Sequence, residues 1–151
     1  MAGALPQLLG RVFGRLLLRA ASTLTARRAV GARGEKVAAA YLRREGYTIL
    51  ERNFTTTLGE IDLIVFRDGV IAFVEVRSLM APGMVDPLET VTRRKQQRVI
   101  RAAQQYAALH GLAEEDVELR FDVVSVLLQE GKRGGEVRHV VGAFGQSARL
   151  F

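Results

Sequence analysis

Four charged side chains on two adjoining apolar segments are the residues of this chain best placed to do chemistry. Glu60 and Asp62 belong to the first segment, and Glu75 and Arg77 belong to the second. The Asp-Gly pair at positions 68 and 69 separates the segments and is typical of a two-residue hairpin turn. With that turn, Asp62 is predicted to face Glu75 across an antiparallel pair of strands. The same register places Glu60 opposite Arg77.

Both faces of this predicted hairpin are apolar, which is typical of a central, buried pair of strands. Carboxylates that are buried side by side repel each other and lose hydration, so they need a compensating cation. A divalent metal ion is the simplest such cation. We expect the acidic face to continue as Ile64, Phe66, Ile71 and Phe73, and the opposite face to comprise Ile61, Leu63, Val65, Ala72, Val74 and Val76.

The donors that this pattern offers to a metal ion are all oxygen atoms. Asp62 and Glu75 supply carboxylates, and the carbonyl of Val76 and the carboxylate of Glu60 are further candidate ligands. Because His and Cys are absent from these segments, the donors favour Mg²⁺ or Mn²⁺ over Zn²⁺. Such an ion polarises a phosphoryl oxygen, and Arg77 would stabilise the charge that develops on phosphorus. The pattern therefore predicts metal-assisted cleavage of a phosphodiester.

The same acids also permit a purely structural interpretation, in which Arg77 bridges them into a salt-bridge network. That network would set three acids against one arginine, so it is charge-balanced only if another cation joins it. The metal interpretation is therefore favoured for Asp62 and Glu75. For Glu60, a metal ligand and a simple cross-strand ion pair with Arg77 remain equal alternatives.

Composition limits the class of protein. The 151 residues suit one domain, and 48% hydrophobic with 25% charged residues is an ordinary globular balance. The chain has no cysteine, so it has neither a disulfide framework nor a thiolate metal site, which fits a cytoplasmic protein. No apolar run approaches the roughly 20 residues that cross a bilayer, so we expect no stable membrane insertion.

The net charge of +6 is concentrated at the start of the chain. Residues 1–34 contain six arginines and no acid, whereas the remainder contains sixteen basic and sixteen acidic residues. We therefore divide the chain into a basic arm (1–30), a main domain (31–145) and a short tail (146–151). A solvated, partly helical extension is the first interpretation of the arm; contact with phosphates or a membrane surface, and a transit peptide, are the alternatives.

The order of predicted elements is α-β-β-β-α-β-β, which is typical of a mixed α/β domain whose central sheet is flanked by helices. Gly46 is predicted to end the first helix. Helices are predicted at 35–45 and 87–110, strands at 48–54, 118–128 and 137–144, a hairpin at 60–77, and a loop at 78–87.

The second predicted helix carries a basic stripe. Arg94, Arg98 and Arg101 recur at helical spacing, and Arg93 and Lys95 extend the stripe at its start. An exposed charged face is the default explanation. Because almost no acid lies near these cations in the sequence, we predict that they contact nucleic-acid phosphates, without base specificity.

The chain contains, in this order, the motifs Gly31-x-x-Gly34-Glu35, Gly46-Tyr47, Arg52-Asn53, Gly59-Glu60-Ile61-Asp62-Leu63-Ile64, Phe73-Val74-Glu75-Val76, Pro87, Lys95, Arg120-Phe121-Asp122-Val123-Val124 and His139. In this order and spacing they resemble the YraN-like family, whose members are expected to be endonucleases similar to restriction endonucleases and archaeal Holliday-junction resolvases. The resemblance covers about residues 31–145. It implies a restriction-endonuclease-like core, Asp62 and Glu75 as metal ligands, and a Glu35 that points toward the same site. From the residues alone, Glu35 is a structural acid in the first turn of a helix.

Arg77 departs from the motif of such nucleases, which has lysine two positions after the glutamate. Lysine can lose a proton when it is buried, whereas arginine stays charged at usable pH. Arg77 therefore keeps the stabilisation of phosphate charge but not the role of a base. Lys95 would substitute if its helix packs over the site.

The expected function is that of a metal-dependent endonuclease acting on nucleic acid, with DNA as the favoured substrate. The alternative is a non-catalytic nucleic-acid-binding module on a nuclease fold, in which Arg77 marks weakened turnover. A homodimer remains an open question, because nucleases that cut two strands are often dimers. Asp122 is predicted to be a hydrogen-bonded structural acid at a strand end, and His110 and His139, which have no partners at ligand spacing, are predicted to be structural or surface residues.

Overall fold

The protein is described by a computed structural model that covers residues 5–83, 89, 91–112 and 117–145, with side chains from residue 22 onward. Its elements follow the predicted order, so the mixed α/β class is confirmed. None of the helices in these ranges is both long and apolar enough to span a membrane. The elements are α1 (Leu5–Arg44), β1 (Thr48–Thr55), β2 (Glu60–Arg67), β3 (Val70–Met80), α2 (Arg93–Leu109), β4 (Glu118–Leu128) and β5 (Gly135–Phe144).

The five strands form one sheet in the order β1-β2-β3-β4-β5, with β3 at its centre. All neighbours are antiparallel except β3 and β4, which run parallel. A parallel pair needs a long crossover connection, and the segment that contains α2 provides it. The helices pack on opposite faces of the sheet: α1 covers an aliphatic cluster, whereas α2 covers a cluster that includes Phe73, Tyr106 and Phe121.

The hairpin turn at Asp68 and Gly69 is confirmed. Both residues have positive φ angles, 51° and 77°, as a type I′ turn requires. The predicted register is also confirmed from Arg67–Val70 to Leu63–Val74. The β2–β3 ladder ends there, so the predicted direct pairs of the site acids are wrong. Instead, the Asp62 carboxylate accepts the N–H of Val76 at 2.7 Å and takes the place of the next ladder bond.

The predicted position of Ile61 is also wrong. We expected Ile61 to share a face with Leu63 and Val65, but it packs in the α2 cluster with Ile64. The strict alternation of side chains along β2 is therefore broken at Asp62. The hydrogen bond between the Asp62 carboxylate and the backbone of β3 also explains this break, because β2 leaves the regular ladder at that point.

The helices differ from prediction at their N-terminal ends. α1 is one continuous helix that begins at Leu5, about thirty residues before the predicted start, and ends at Arg44, just before the predicted stop at Gly46. There the N–H groups of Gly46 and Tyr47 bond back to the carbonyls of Arg43 and Leu42, the pattern of a Schellman cap. The start of α2 was predicted at position 87, and residues 87, 88 and 90 lie outside the described part of the chain.

α2 begins at Arg93 because Thr92 provides the N-cap. The Thr92 hydroxyl accepts the backbone N–H of Lys95, and Thr92 itself has extended backbone angles. This cap fixes the first turn of α2, which is the turn that carries Lys95.

Asp122 is fully buried in a hydrogen-bonded cluster between β4 and β5. Its carboxylate accepts two hydrogen bonds from Arg120, lies 2.9 Å from His139 Nε2, and accepts the Gly142 N–H at 2.9 Å. Arg120 also donates to the Tyr47 hydroxyl. Burial raises the pKa of Asp122, but the hydrogen bonds from His139, Arg120 and Gly142 outweigh it and keep the pKa below its usual value. The cluster has the structural role predicted for Asp122 and His139.

We predict that Asp122→Asn destabilises the fold by about 3 kcal/mol, because it leaves Arg120 without its buried counter-charge. Urea unfolding followed by circular dichroism measures this loss. Asp68→Asn is the matched control, since Asp68 is 82% exposed and its surface ion pair with Arg67 contributes little. Equal stabilities of the two variants would contradict a structural role for the cluster.

Candidate active site

The candidate site lies where β2 and β3 leave their regular ladder. Asp62 reaches the site because its carboxylate binds the Val76 N–H. Glu75 reaches it because the alternation of side chains in β3 turns it toward the α2 side, as it does Phe73. The two carboxylates are close enough for the negative charge of Asp62 to raise the pKa of Glu75. The structure thus brings together the two acids that the sequence singled out.

Glu75 is the most deeply buried charged residue of the site, with 2% of its side chain exposed. Its Oε1 atom lies 3.3 Å from Lys95 Nζ and 3.5 Å from Arg77 Nη1. Its Oε2 atom is buried and has no hydrogen-bond partner among the described residues. Buried acceptors are rarely left without a donor, because the lost hydration costs about 1–3 kcal/mol. This oxygen is therefore an acceptor of the site that is still able to bind a further donor or cation.

The pKa values of both Asp62 and Glu75 are raised above their usual range. Burial raises the pKa of Glu75 to about 7, and the neighbouring charge of Asp62 adds to the rise. Burial also raises the pKa of Asp62, against the lowering effects of the Val76 N–H and of Lys95. Near neutral pH the pair therefore favours the gain of a proton or of a further cation.

Lys95 projects from the first turn of α2 and contacts two acids at once. Its Nζ atom lies 3.3 Å from Glu60 and 3.3 Å from Glu75. Burial lowers the pKa of Lys95, but the charges of Glu75, Asp62 and Glu60 raise it further, so the net shift is upward. Its helix packs over the site, as the substitution for a motif lysine requires. In this arrangement, however, Lys95 stays protonated at neutral pH and supplies charge, not a base.

Glu60 and Arg77 occupy different parts of the site. The ion pair recorded for Glu60 is with Lys95, and its side chain is 55% exposed. Arg77 lies against Glu75, and 36% of its side chain is exposed. The predicted cross-strand pair between Glu60 and Arg77 is therefore replaced by two separate contacts. The reason is again the early end of the ladder, which removes the direct opposition of these positions.

Glu35 approaches the site from α1. Its side chain is half-buried, and its charge is close enough to raise the pKa of Asp62. Glu35 also lines the same cavity as Val76 and Arg77. The structure therefore places Glu35 close to Asp62, and the resemblance implied that Glu35 points toward this site.

Two glycines, Gly34 and Gly59, allow the helices to pack closely against the sheet. The sequence alone predicted no role for either of them. A methyl group added to Gly34 would overlap the side chain of Ser78, so α1 rests directly on β3 at this point. A methyl group added to Gly59 would overlap the Arg98 carbonyl of α2. Each glycine directly precedes an acid of the site, Glu35 or Glu60. This Gly-Glu pair is the sequence feature that could have predicted the close packing.

The basic stripe of α2 stays apart from the acids. Arg93, Arg94, Arg98 and Arg101 are all exposed on the outer surface of the helix, and of the predicted stripe Lys95 alone contacts the carboxylates. Among the described residues, no three His, Cys, Asp or Glu side chains converge to form a metal cage. The carboxylates that the structure brings together are those of Asp62 and Glu75, and Lys95 links Glu60 to them.

These features define a mixed α/β protein with a buried pair of carboxylates at the open end of a central hairpin. Residues 34–126 match the model of the uncharacterised protein family UPF0102, and the chain belongs to this family. This match confirms the resemblance to YraN-like proteins.

Relatives from several bacteria cover most of the chain. A UPF0102 protein of Alkaliphilus oremlandii is 41% identical over 115 residues, which are 76% of this chain and 97% of the relative. One from Syntrophomonas wolfei is 43% identical over 117 residues, with 78% and 98% covered. One from an Anaeromyxobacter species is 44% identical over 118 residues, with 78% and 86% covered.

Gly34→Ala and Gly31→Ala form a matched pair of substitutions on α1. Nothing lies within 4 Å of a methyl group added to Gly31, so Gly31→Ala should raise stability by up to about 1 kcal/mol through helix propensity. Gly34→Ala should instead cost about 1–3 kcal/mol, because Ser78 and its strand must move. Thermal unfolding of both variants measures the difference. Similar stabilities would show that α1 does not rest on β3 at Gly34.

The stability of Glu75→Gln relative to the natural protein should depend on pH. The Glu75 carboxyl has a pKa near 4.5 in an unfolded chain and about 7 when folded, so the folded state binds the proton more tightly. The stability from this proton is complete below pH 4.5 and is lost as the pH rises through about 7. Glutamine mimics the protonated acid, so the variant should gain up to about 3 kcal/mol over the natural protein between pH 4.5 and pH 8.

Urea unfolding at a series of pH values, with a metal chelator present, measures this gain. Glu118→Gln, the same chemical change at an exposed position of β4, is the matched control. A pH-independent difference for Glu75→Gln would contradict the raised pKa.

Proposed function

We propose that this protein is a metal-dependent endonuclease that hydrolyses phosphodiester bonds of nucleic acid, with DNA as the favoured substrate. The observation that carries the proposal is the Oε2 atom of Glu75, which is buried beside a second acid and has no hydrogen-bond partner among the described residues. A buried carboxylate oxygen without a hydrogen-bond donor is typical of a metal ligand whose metal ion is not bound.

The residues present fit Mg²⁺ or Mn²⁺. The donors are the carboxylates of Asp62 and Glu75 and the carbonyl of Val76, and oxygen donors suit these hard ions. Glu60 is a further candidate, although it is engaged by Lys95. When bound, the ion supplies Lewis-acid polarisation of the phosphate and a more acidic water. Its charge would also offset the burial, and the charges of neighbouring acids, that raise the pKa of both carboxyl groups.

The other residues of the site act on the substrate. Arg77 is exposed enough to reach a phosphate, and its guanidinium can hold two phosphate oxygens and stabilise their added charge. Lys95 keeps the Glu75 carboxylate in place and adds positive charge. Glu35 borders the site from α1 and is a second-rank participant. The exposed arginines Arg93, Arg94, Arg98 and Arg101 would hold the sugar-phosphate backbone over α2.

A second candidate function is that of a nucleic-acid-binding module without turnover. The observation in its favour is that Lys95 and Arg77 both lie within 3.5 Å of Glu75, so protein cations already compensate part of the buried charge. With arginine at position 77, the site also lacks the lysine that could lose a proton.

Cleavage assays distinguish the two functions. The natural protein is incubated with branched, single-stranded and duplex DNA in the presence of Mn²⁺, and cleavage is expected with at least one of them. Asp62→Asn should lower the rate on the order of 100-fold or more, because it removes a ligand charge. Asp68→Asn, the same chemical change in the exposed hairpin turn, should leave the rate unchanged.

Each other outcome has a clear meaning. Salt-sensitive retention on DNA without cleavage would support the binding module. Cleavage that survives both Asp62→Asn and a chelator would remove this site from the chemistry. A natural protein that shows neither retention nor cleavage would overturn both functions.

A further inference from the structure

A row of polar side chains crosses three strands next to the acid pair of the candidate site. Glu75 itself belongs to a row that is otherwise apolar, because it is paired with Val123 of β4, and Val123 is paired with Val140 of β5. The next row toward the C-terminal end of β3 consists of polar residues that are paired in the same way: Arg77 of β3, Ser125 of β4 and Arg138 of β5. We refer to these three residues as the polar row.

The polar row lies on the face of the sheet against which α2 packs. Arg77 follows Glu75 by two positions, so their side chains point to the same side of β3. Ser125 follows Val123 by two positions, and Val123 packs in the α2 cluster. Arg138 is paired with Ser125 and therefore shares its face. The three side chains thus continue the surface from which Glu75 projects.

The polar row is more exposed than the part of the sheet under α2. The first turn of α2 lies over Glu75, since Lys95 Nζ is 3.3 Å from its Oε1 atom, and the rest of the helix packs on the aromatic part of the α2 cluster. Beyond that turn, Arg77 and Ser125 are partly exposed and Arg138 is exposed. The acid pair therefore lies between α2 on one side and the polar row on the other.

The donors of the polar row suit a sugar-phosphate backbone. Neighbouring strands lie about 4.8 Å apart, so the row spans about 10 Å across the sheet. Guanidinium groups stand at its two ends and a hydroxyl group stands between them, and both kinds of group bind phosphate oxygens. Successive phosphates of one strand rise about 3.4 Å along a duplex. The row is therefore long enough to contact two or more phosphates of one strand.

Arg138 carries a guanidinium group without a partner in the described part of the chain. It forms neither an ion pair nor a hydrogen bond there, although the acid Glu136 lies two positions away on the same strand. The Ser125 hydroxyl donates to the Arg138 carbonyl at 3.5 Å, a long contact that a phosphate oxygen can replace. Arg77 lies 3.5 Å from Glu75, so the inner end of the row is held at the acid pair.

Given the proposed function, we propose that the polar row binds the sugar-phosphate backbone of the strand that is cut, on the side of the scissile bond away from α2. Arg77 contacts the phosphate to be cleaved, and Ser125 and Arg138 bind the phosphates that follow it. The nucleic-acid strand thus crosses β3, β4 and β5 nearly at right angles. Because these contacts are made to the backbone, they orient the substrate without selecting its sequence.

Binding of DNA without a metal ion tests the contribution of Arg138. The affinities for branched, single-stranded and duplex DNA are measured over a range of salt concentrations for the natural protein and for Arg138→Ala. For the DNA that binds most tightly, the variant should reduce the slope of log affinity against log salt by about 0.7–0.9, the value for one lost phosphate contact. Arg43→Ala, the same change at an exposed position of α1 on the opposite face, is the control and should leave the slope unchanged.

Glu136→Gln should change the affinity in the opposite direction. Glu136 is an exposed acid on the same face as Arg138, so it repels a backbone that is bound there. Its neutralisation should raise the affinity a few-fold at low salt, and screening should remove the gain at high salt. Glu118→Gln, at the opposite end of the sheet, is the control and should have a clearly smaller effect.

Alkylation of a single engineered cysteine locates the bound DNA, because the natural chain has no cysteine. Ser125→Cys places a thiol in the middle of the polar row and keeps both of its cations. Ala40→Cys places one at an exposed position of α1, on the other face of the sheet. Bound DNA should slow the maleimide reaction of Ser125→Cys several-fold and should not slow that of Ala40→Cys.

These measurements need no metal ion and no turnover, so they separate the polar row from the proposed chemistry. An unchanged salt slope for Arg138→Ala, equal effects of Glu136→Gln and Glu118→Gln, or a Ser125→Cys thiol that DNA does not protect would overturn the inference even if the protein cleaves DNA. A natural protein that binds none of the DNA substrates would overturn it as well. Protection of Ser125→Cys without any Mn²⁺-dependent cleavage would instead support the polar row and count against the nuclease.

Discussion

The hydrogen bond from the Val76 N–H to the Asp62 carboxylate is the interaction on which the site depends. It substitutes a side-chain acceptor for a backbone carbonyl at the point where the β2–β3 ladder would otherwise continue. The substitution has two effects. It holds the Asp62 carboxylate beside the buried Glu75. It also ends the regular pairing of β2 with β3, so that Ile61 packs on the α2 face of the sheet. A carboxylate in a ladder position is thus both a structural break and a part of the candidate site.

The two helices complete the site from opposite faces of the sheet. α2 brings Lys95 within 3.3 Å of Glu75, whereas α1 brings Glu35 close enough to influence Asp62. Both approaches depend on a glycine that removes a steric barrier, at Gly34 for α1 and at Gly59 for α2. Because protein interiors are densely packed, a methyl group added at either glycine would displace the helix. The displacement would change the distance from Lys95 or Glu35 to the acids of the site. Site electrostatics and helix packing are therefore not separable in this molecule.

Local signals made much of this arrangement predictable. The Asp-Gly turn fixed the hairpin register, the apolar runs gave the strands, and Gly46 gave the end of α1, because each depends on neighbouring residues alone. The ladder break was not predictable, because it arises from competition between Asp62 and the backbone for the Val76 N–H. The contact between Lys95 and Glu60 joins residues far apart in the sequence. It depends on how α2 packs on the sheet, which no local pattern specifies.

The two-residue turn at Asp68 and Gly69 makes the length of the hairpin as important as its acids. Glu75 lies five residues beyond Val70, about 17 Å from the turn along β3. An insertion or deletion of one residue in the turn would shift the strand by one position and exchange its faces. The glutamate would then point into the aliphatic layer under α1, and a valine would take its place beside Asp62. This exposed turn is therefore expected to tolerate changes of residue type far better than changes in the number of residues, although it lies at the opposite end of the hairpin from the candidate site.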